Sequence, residues 1–543
     1  MTAGGNPTAP LPATVAAMLQ PGFYPHPPQA VHLTQTHISY VLLAGDSVYK
    51  IKKPVRFSFL DFSTVERRRH FCHEEVRLNR RLAPETYRGV VAICAGPNGY
   101  RLGPGDAADA VEYAVHMRRL PDDRMLNRLL ERDAATLPII DAIARRLCAF
   151  HRESDAGPHV AANGDPAAIW RVLEDNYTGM RRFRGITLPE SDDEAIQTFT
   201  RDFLDHHDAL FRLRQAQQHI RDCHGDLHSE HICCIEPLTI FDCIEFNETF
   251  RYCDVASDIA FLAMDLDYHD HAELAAYLVD RYAAYGNDTD LRRLVPFYQC
   301  YRAYVRGKVD SLTSAEPEVE PEERAAARDR ARRHFELAYR YTWAYRPCVV
   351  VIAGLSGTGK SALAAALQVR TGFTHINSDV VRKRLAGLPA ATRVTGAAAT
   401  ALYSVEHSER TYERLFTDAA QCLDAGRGVI LDATFQLRRG RAAARALAYG
   451  RGVPFLVVEC RCPEGDVRER LARRTAAGDS PSDADWEVYL EQRRRFEPFT
   501  TDEQADRLVL DTTRSATDLT AAIERSLAES CKQQGASGEP ERA

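Results

Sequence analysis

The chain has 543 residues, of which 45% are hydrophobic and 27% charged, and its formal net charge is −7. The composition is that of an ordinary globular protein, and the length exceeds what one hydrophobic core usually organises, so two or three domains are expected. The negative charge disfavours nucleic acid as the main partner, although the basic runs at 67–69 and 493–495 are compatible with phosphate binding.

The N-terminal residues carry no targeting signal. They are small and proline-rich, without a basic start or an unbroken apolar core, and we expect residues 1–25 to be disordered. No stretch reaches the run of about 18 apolar residues that crosses a bilayer. The fourteen cysteines lack the paired spacing of a zinc site or a disulfide framework. These features predict a cytoplasmic protein without a membrane partner.

The predicted elements of the N-terminal half run from strands to helices. Strands at 37–43 and 47–52 form a hairpin, and a long amphipathic helix follows over 63–82. The pattern is mostly helical from 136 to about 216, and short β-rich pieces follow at 232–235 and 239–241. Strands first and helices later indicate an α+β domain.

Two acidic residues flank these short strands. Asp226 lies in the segment His224-Gly225-Asp226, and Asp242 ends a strand sixteen residues later. Phosphoryl transfer to a hydroxyl needs one carboxylate that orients and deprotonates the acceptor and another that holds Mg²⁺ on the nucleotide. The spacing therefore predicts a phosphotransferase site.

The same segment resembles the aminoglycoside phosphotransferase family, a branch of the protein-kinase-like fold. The resemblance implies that Asp226 is the catalytic acid and that Asp242 binds the metal. It further implies a nucleotide-binding lysine, its helix partner, a hinge that receives adenine at 113–117, and a segment that buttresses the catalytic loop at 254–260. The positions that match are Lys50, chosen over Lys52, for the lysine, Glu75 for its partner and Met117 for the hinge.

One residue departs from this family. The asparagine five residues after the catalytic acid is replaced by His231, and imidazole is a poor ligand for Mg²⁺. Glu230 or Asn247 could supply the missing oxygen. Two alternatives stay open for this domain, a catalytic kinase and a nucleotide-binding or regulatory remnant.

A phosphate-binding loop begins the C-terminal half. The apolar run 348–353 precedes the motif G-x-x-x-x-G-K-[ST] at 354–361, and a helical pattern follows it. Backbone amides of such a loop point at phosphate oxygens, the lysine reaches the β- and γ-phosphates, and the hydroxyl holds Mg²⁺. The predicted nucleotide ligands are Gly354, Ser356, Gly357, Thr358, Gly359, Lys360 and Ser361.

Further residues suit the transfer step. Asp432 ends a buried strand, as a carboxylate that organises Mg²⁺ does. Asp379 and Arg382 form an Asp-x-x-Arg pair that either orients an acceptor hydroxyl and neutralises phosphate or is a surface salt bridge. Arg470 and Arg474, at i,i+4 spacing on a basic helix, are predicted to close as a lid over the transferred group.

This half resembles the small predicted kinases of the P-loop superfamily, related to zeta-toxin, gluconate and polynucleotide 5′-hydroxyl kinases. Together the two resemblances are those of bacterial bifunctional aminoglycoside phosphotransferase/ATP-binding proteins, which carry an AAA-family ATPase domain. The implied fold is an α+β kinase-like domain followed by an α/β P-loop domain with a parallel sheet. The expected boundaries are a disordered N-terminus at 1–25, the kinase-like domain at 26–312, an acidic linker and bridging helix at 313–346, the P-loop domain at 347–530 and a disordered tail at 531–543.

The sequence thus predicts an ATP-dependent phosphotransferase with two nucleotide-binding domains, ATP and Mg²⁺ as cofactors, and a small-molecule hydroxyl acceptor. The alternative is a P-loop ATPase regulated by a catalytically impaired, nucleotide-sensing kinase-like domain. The acceptor is left open among an antibiotic, a sugar, a nucleoside and a protein hydroxyl.

Overall fold

The computed structural model describes residues 11–57, 59–97, 99–317, 319–394, 396–477 and 482–537. The chain divides into two compact units, Met1–Ala338 and Tyr339–Ala543. In the part of the chain that the structure describes, no helix combines the length and the apolar character needed to span a membrane.

The N-terminal unit is built around a six-stranded antiparallel sheet with the strand order β1-β2-β3-β8-β6-β7. Three two-stranded sheets, β4-β5, β9-β12 and β10-β11, accompany it. The strands are β1 Val31–Gln35, β2 Ser39–Ala44, β3 Ser47–Lys52, β4 Arg56–Phe57, β5 Leu60–Asp61, β6 Tyr87–Gly96, β7 Gly99–Pro104, β8 Ala110–Arg118, β9 Ile220–Asp222, β10 Ile232–Cys233, β11 Thr239–Ile240 and β12 Tyr252–Asp254.

Helices make up most of the rest of this unit. They are α1 Ala13–Met18, α2 Val65–Asn79, α3 Leu126–Glu131, α4 Leu137–Glu153, α5 Pro158–Ala161, α6 Pro166–Met180, α7 Glu190–His206, α8 Asp208–Ala216, α9 Glu248–Arg251, α10 Val255–Tyr268, α11 Ala272–Gly286, α12 Leu291–Ala315 and α13 Pro321–Tyr341. Side-chain caps begin several of them; Thr64, for example, accepts from the amide of Arg67 at the start of α2, and Asp254 accepts from that of Ala256 at the start of α10.

Both chain ends contain more structure than we expected. Val15 and Met18 of α1 are 1% and 0% exposed, and they pack in a core cluster with Leu42 and Tyr49. The expectation of disorder is therefore wrong for residues 11–25, since two apolar side chains three positions apart suffice to hold one short helix on the sheet. Residues 1–10 lie outside the described part. At the other end a helix continues to Ser537, where a disordered tail was expected from 531.

The C-terminal unit is a five-stranded sheet with the order β14-β15-β13-β16-β17, and every neighbouring pair is parallel. The prediction of an α/β domain with a parallel sheet is confirmed. Its strands are β13 Val349–Ala353, β14 Thr374–Asn377, β15 Val429–Asp432, β16 Phe455–Arg461 and β17 Arg507–Asp511. Its helices are α14 Lys360–Thr371, α15 Ser378–Leu385, α16 Gly396–Leu402, α17 Val405–Asp424, α18 Arg438–Tyr449, α19 Glu464–Ala477, α20 Trp486–Arg495 and α21 Ala516–Ser537.

Strand β13 occupies the centre of this sheet and is buried along its whole length. A strand that is buried on both faces has an unbroken apolar sequence, and such a sequence precedes the phosphate-loop motif. Because ligands of open parallel sheets bind beyond the carboxyl ends of the strands, the ends of β13, β14 and β15 position the site.

Candidate functional site

The loop between β13 and α14 has the backbone geometry that its glycines allow. Gly354, Gly357 and Gly359 adopt φ values of +147°, +80° and +84°. A Cβ at Gly354 would lie 2.7 Å from the carbonyl oxygen of Cys460, so only glycine fits there. The loop ends at Lys360, where α14 begins, and the amides of the first helical turn are free to meet an anion.

Lys360 is folded back over this loop. Its Nζ donates to the carbonyl oxygen of Leu355 at 2.9 Å, and the Thr358 hydroxyl donates to the same oxygen at 2.8 Å. Burial lowers the pKa of Lys360, against the nearby negative charge of Asp432. The amide of Ser356 donates to Gln492 Oε1 at 2.9 Å, so a glutamine side chain holds one of the amides predicted to meet phosphate.

Asp432 and Ser361 meet at the carboxyl end of the sheet. Asn377 Nδ2 lies 2.6 Å from Asp432 Oδ2 and 3.4 Å from the Ser361 hydroxyl, and His375 Nε2 lies 3.1 Å from Asp432 Oδ2. Burial opposes ionisation of Asp432, but His375, Lys360 and Ser361 outweigh it and lower the pKa of the carboxyl. An ionised carboxylate beside a hydroxyl offers the hard oxygen ligands that suit Mg²⁺.

Asp379 and Arg382 lie on α15, whose N-terminus is capped by Asn377. Asp379 Oδ1 is 3.9 Å from Arg382 Nε, and Arg382 is only 7% exposed, so the pair is not a surface salt bridge. Arg382 Nη1 is held by the carbonyl of Leu402 and the hydroxyl of Ser408, both at 3.1 Å. Burial raises the pKa of Asp379, which favours a group that takes up a proton.

The two lid arginines point to different places. Arg470 donates to the Thr512 hydroxyl at 3.0 Å and to its carbonyl at 2.9 Å, and Thr512 in turn donates to the carbonyl of Thr358 at 2.7 Å. Arg474 donates to the carbonyl of Ala484, and its charge acts on Asp379 and Lys360. In this conformation Arg470 therefore braces the phosphate loop, whereas the charge of Arg474 acts on Asp379.

A buried charge cluster lies in the N-terminal unit where the sequence predicted a nucleotide lysine. Lys50 Nζ, on β3, is 2.6 Å from Asp242 Oδ1 and 3.0 Å from Glu75 Oε1 on α2. Burial alone would lower the pKa of Lys50, but the carboxylates of Asp242 and Glu75 raise it well above its ordinary value. The structure thus brings together three residues that are far apart in the chain.

Sequence reasoning missed the second half of this cluster. Lys52 Nζ is 2.8 Å from Glu75 Oε2 and also pairs with Glu245, and its side chain is fully buried. Lys50 and Lys52 share one face of β3 because side chains two positions apart in a strand point the same way. Glu75 therefore contacts both lysines, one through each oxygen.

Asp226 lies in a loop whose backbone is hydrogen-bonded to α10. The amides of His224 and Gly225 donate to the two oxygens of Asp258 at 2.7 and 2.9 Å, as the predicted buttress at 254–260 implies. Gly225 has φ +85°, and a Cβ there would lie 2.9 Å from the carbonyl of Phe250. Burial opposes ionisation of Asp226, but His228, His231 and Arg306 lower its pKa strongly.

Two other predicted residues have different surroundings from those expected. The segment 113–117 is part of β8, an interior strand that pairs with β3 and β6, and is not a hinge loop. Met117 is 9% exposed and packs in a core cluster with Val48, and a nucleotide contact there stays a prediction. His231 Nε2 lies 3.6 Å from Asp242 Oδ2, which places its imidazole where the resemblance expects an asparagine.

Comparison with known proteins finds a family model that matches part of the chain and relatives that match most of it. A family model described as an AAA domain (AAA_33) matches residues 349–499. "Uncharacterized protein Rv2004c" of Mycobacterium tuberculosis (strain ATCC 25618 / H37Rv) is 32% identical over 469 residues, which cover 86% of this chain and 90% of that protein. The chain belongs to the same family. "Uncharacterized protein Mb2027c" of Mycobacterium bovis (strain ATCC BAA-935 / AF2122/97), another member, has the same identity and coverage.

Some solved structures share a weaker similarity with this family member. The APS kinase CysC of Mycobacterium tuberculosis, in complex with AMPPNP and APS, is 23% identical and covers 34% of this chain and 98% of its own, with a TM-score of 0.25. A gluconokinase from Sinorhizobium meliloti 1021 is 17% identical and covers 36% of this chain and 98% of its own, with a TM-score of 0.27. Similarities this weak say nothing about the activity of the present chain.

Proposed function

We propose that the protein is an ATP-dependent phosphotransferase whose C-terminal unit transfers the γ-phosphoryl group to a hydroxyl of a small molecule. The observation that carries the proposal is the meeting of Lys360, Ser361 and Asp432 beyond the ends of β13 and β15, next to a second carboxylate, Asp379, whose side chain is 22% exposed. A second carboxylate beside the phosphate loop can accept the proton of an attacking hydroxyl, whether of an alcohol or of water.

Each residue of the site has a role in the proposal. The loop amides and Lys360 bind the phosphates, and Ser361 and Asp432 would hold Mg²⁺, which neutralises phosphate charge when it is bound. Asp379 accepts the proton of the acceptor hydroxyl, because burial favours its protonated form. Arg474, whose charge already acts on Asp379, stabilises the transferring group.

The N-terminal unit is included in the proposal as a second, kinase-like nucleotide site. Lys50 would position the phosphates with Glu75 as its partner, and Asp226 would accept a proton from its own acceptor. Its oxygen and nitrogen donors do not fit Mg²⁺ as those of the C-terminal unit do, because His231 stands beside Asp242. We therefore assign no Mg²⁺-dependent step to this unit.

His231 also favours a second candidate function, in which the C-terminal unit is an ATPase regulated by the N-terminal one. The two functions differ in the fate of the phosphate. Labelled ATP with a panel of sugars, nucleosides, aminoglycosides and acidic polyols should give a labelled organic product that Asp379→Asn abolishes. Release of inorganic phosphate alone, at a rate independent of every acceptor and equal in Asp379→Asn, would refute the phosphotransferase and support the ATPase.

A further inference from the structure

One asparagine connects Asp432 to the helix that carries Asp379. Asn377 is the last residue of β14, and the parallel pairing of β14 with β15 places it beside Asp432. Its Oδ1 accepts from the amides of Asp379 and Val380 at 2.9 and 3.1 Å. Its Nδ2 donates to Asp432 Oδ2 at 2.6 Å and lies 3.4 Å from the Ser361 hydroxyl. A single side chain therefore contacts three elements, α14, α15 and β15.

These contacts fix the orientation of the Asn377 amide. Oδ1 faces two N–H donors, and Nδ2 faces a carboxylate oxygen. Exchanging the oxygen and the nitrogen would set donor against donor and acceptor against acceptor. The side chain consequently holds one orientation, in which the helix and the carboxylate are both bound.

Capping of α15 does not by itself require an asparagine. Serine, aspartate and asparagine cap helices about equally well, because each supplies an oxygen that accepts from the first turn. Of the three, only asparagine carries a separate N–H donor beside the accepting oxygen. The contact with Asp432 is thus the property that distinguishes Asn377 from an ordinary cap.

The carboxylate of Asp432 is held by two nitrogens. Asn377 Nδ2 and His375 Nε2 both engage Oδ2, and the Asp432 side chain is only 2% exposed. Two donors on one oxygen restrict rotation of the carboxylate. Carboxylates that bind a metal ion are usually held by such outer hydrogen bonds, and the loss of one typically costs about 10- to 100-fold in metal affinity or activity.

The other end of Asn377 holds Asp379, because the amide of Asp379 belongs to the turn that Asn377 caps. We propose that Asn377 is a positioning residue that sets the separation between Asp432, which would hold Mg²⁺, and Asp379, which takes up the proton of the acceptor. This role rests on the proposed function of the C-terminal unit. Asn377 acts through these two carboxylates and takes no part in the transfer itself.

The test separates the cap from the link to Asp432. Asn377→Ser keeps an oxygen for α15 but removes the amide that donates to Asp432, whereas Asn377→Ala removes both. Ser404→Ala is the matched control, because it removes the cap of α17, where the Ser404 hydroxyl accepts from the amide of His407 at 3.3 Å. All variants are made in the full-length chain.

The first measurement is the urea midpoint of the C-terminal unit, reported by tryptophan fluorescence in a Trp170→Phe background, since Trp343 and Trp486 lie in that unit. Asn377→Ser should match wild type. Asn377→Ala and Ser404→Ala should each unfold at a midpoint lower by roughly 0.3 M, the effect of losing one cap.

The second measurement is ATP affinity with Mg²⁺ and in EDTA, counting only the binding that Lys360→Ala abolishes. Asn377→Ser and Asn377→Ala should each bind ATP at least tenfold more weakly with Mg²⁺ and should match wild type in EDTA. The kcat of phosphate transfer should fall at least tenfold in both. Ser404→Ala should leave the affinities and kcat unchanged.

Wild-type Mg²⁺-dependent affinity and kcat in Asn377→Ser would overturn the proposal, because Asn377 would then be a cap alone. A double-mutant cycle gives an independent measurement. In an Asp432→Asn background, Asn377→Ser should change the affinity with Mg²⁺ less than twofold, and a tenfold change there would also overturn the proposal. If wild type labels no acceptor, the proposed function fails, but the affinities still decide the role of Asn377.

Discussion

Substitution of the two lysines of β3 tests how much each lysine contributes to the stability of the N-terminal unit. Lys52 is fully buried between Glu75 and Glu245, whereas the Lys50 side chain is 13% exposed and faces Asp242. Lys52→Met leaves Glu245 buried without its cation. Removing one partner of a buried pair typically costs about 3 to 5 kcal/mol.

Lys50→Met is the matched control, because it removes the same charge from the same strand. Lys52 still pairs with Glu75 there, and the Asp242 side chain, 35% exposed, is left partly in water. The expected loss is about 1 kcal/mol. At an m-value of about 3 kcal/mol/M in urea, the unfolding midpoint should fall by roughly 1 to 1.7 M for Lys52→Met and by roughly 0.3 M for Lys50→Met.

Tryptophan fluorescence can report on the N-terminal unit by itself. The chain has three tryptophans, and a Trp343→Phe, Trp486→Phe background leaves Trp170 of α6, whose ring stacks with Arg201 of α7. Adding Glu245→Gln to Lys52→Met should recover part of the lost stability, since it neutralises the uncompensated carboxylate. A Lys52→Met midpoint equal to that of Lys50→Met, or no recovery with Glu245→Gln, would refute the reasoning.

Two predictions concern the C-terminal site. Gly359→Ala places a Cβ 3.1 Å from Arg470 in a backbone with φ +84°, so ATP affinity should fall about tenfold or more. Gly387→Ala is the control, because it has similar backbone strain at φ +71° but no atom within 4 Å of the added carbon. Its ATP affinity should match that of wild type. Equal losses of affinity by the two variants in a nucleotide titration would contradict this prediction. The rate of phosphate transfer should fall as the pH falls through the pKa of Asp379, which burial raises above 3.8, because the proton acceptor must be ionised. If the residual transfer rate of Asp379→Asn falls with decreasing pH as the wild-type rate does, the group that titrates is not Asp379.

Motifs that are contiguous in the chain were the easiest to predict. The loop at 354–361 needs only a strand before it and a helix after it, and both follow from local periodicity. The pairing of β13 with β15 brings Asp432 next to this loop. His375 and Asn377 were not foreseen as partners of Asp432, because their contacts depend on β14 being the next strand in the sheet.

The N-terminal site depended more on contacts that only the fold creates. Lys50, Glu75 and Asp242 were chosen through a family resemblance, and no local pattern reveals that Glu75 also reaches Lys52. The segment 113–117 was predicted as a hinge, but its mostly buried residues belong to an interior strand. Short apolar segments such as α1 escape prediction because two buried side chains make too weak a periodic signal.

The most direct measurement is phosphate transfer from γ-labelled ATP by the full-length chain, with the single variants Lys360→Ala and Asp226→Ala run alongside. The account predicts that Lys360→Ala removes at least 99% of one labelled product, because it deletes the positive charge that meets the β- and γ-phosphates. That charge is expected to contribute about 3 kcal/mol to binding and transition-state stabilisation. Asp226→Ala should leave that product unchanged. Transfer that survives Lys360→Ala at the wild-type rate would contradict the assignment of the C-terminal unit as the phosphotransferase.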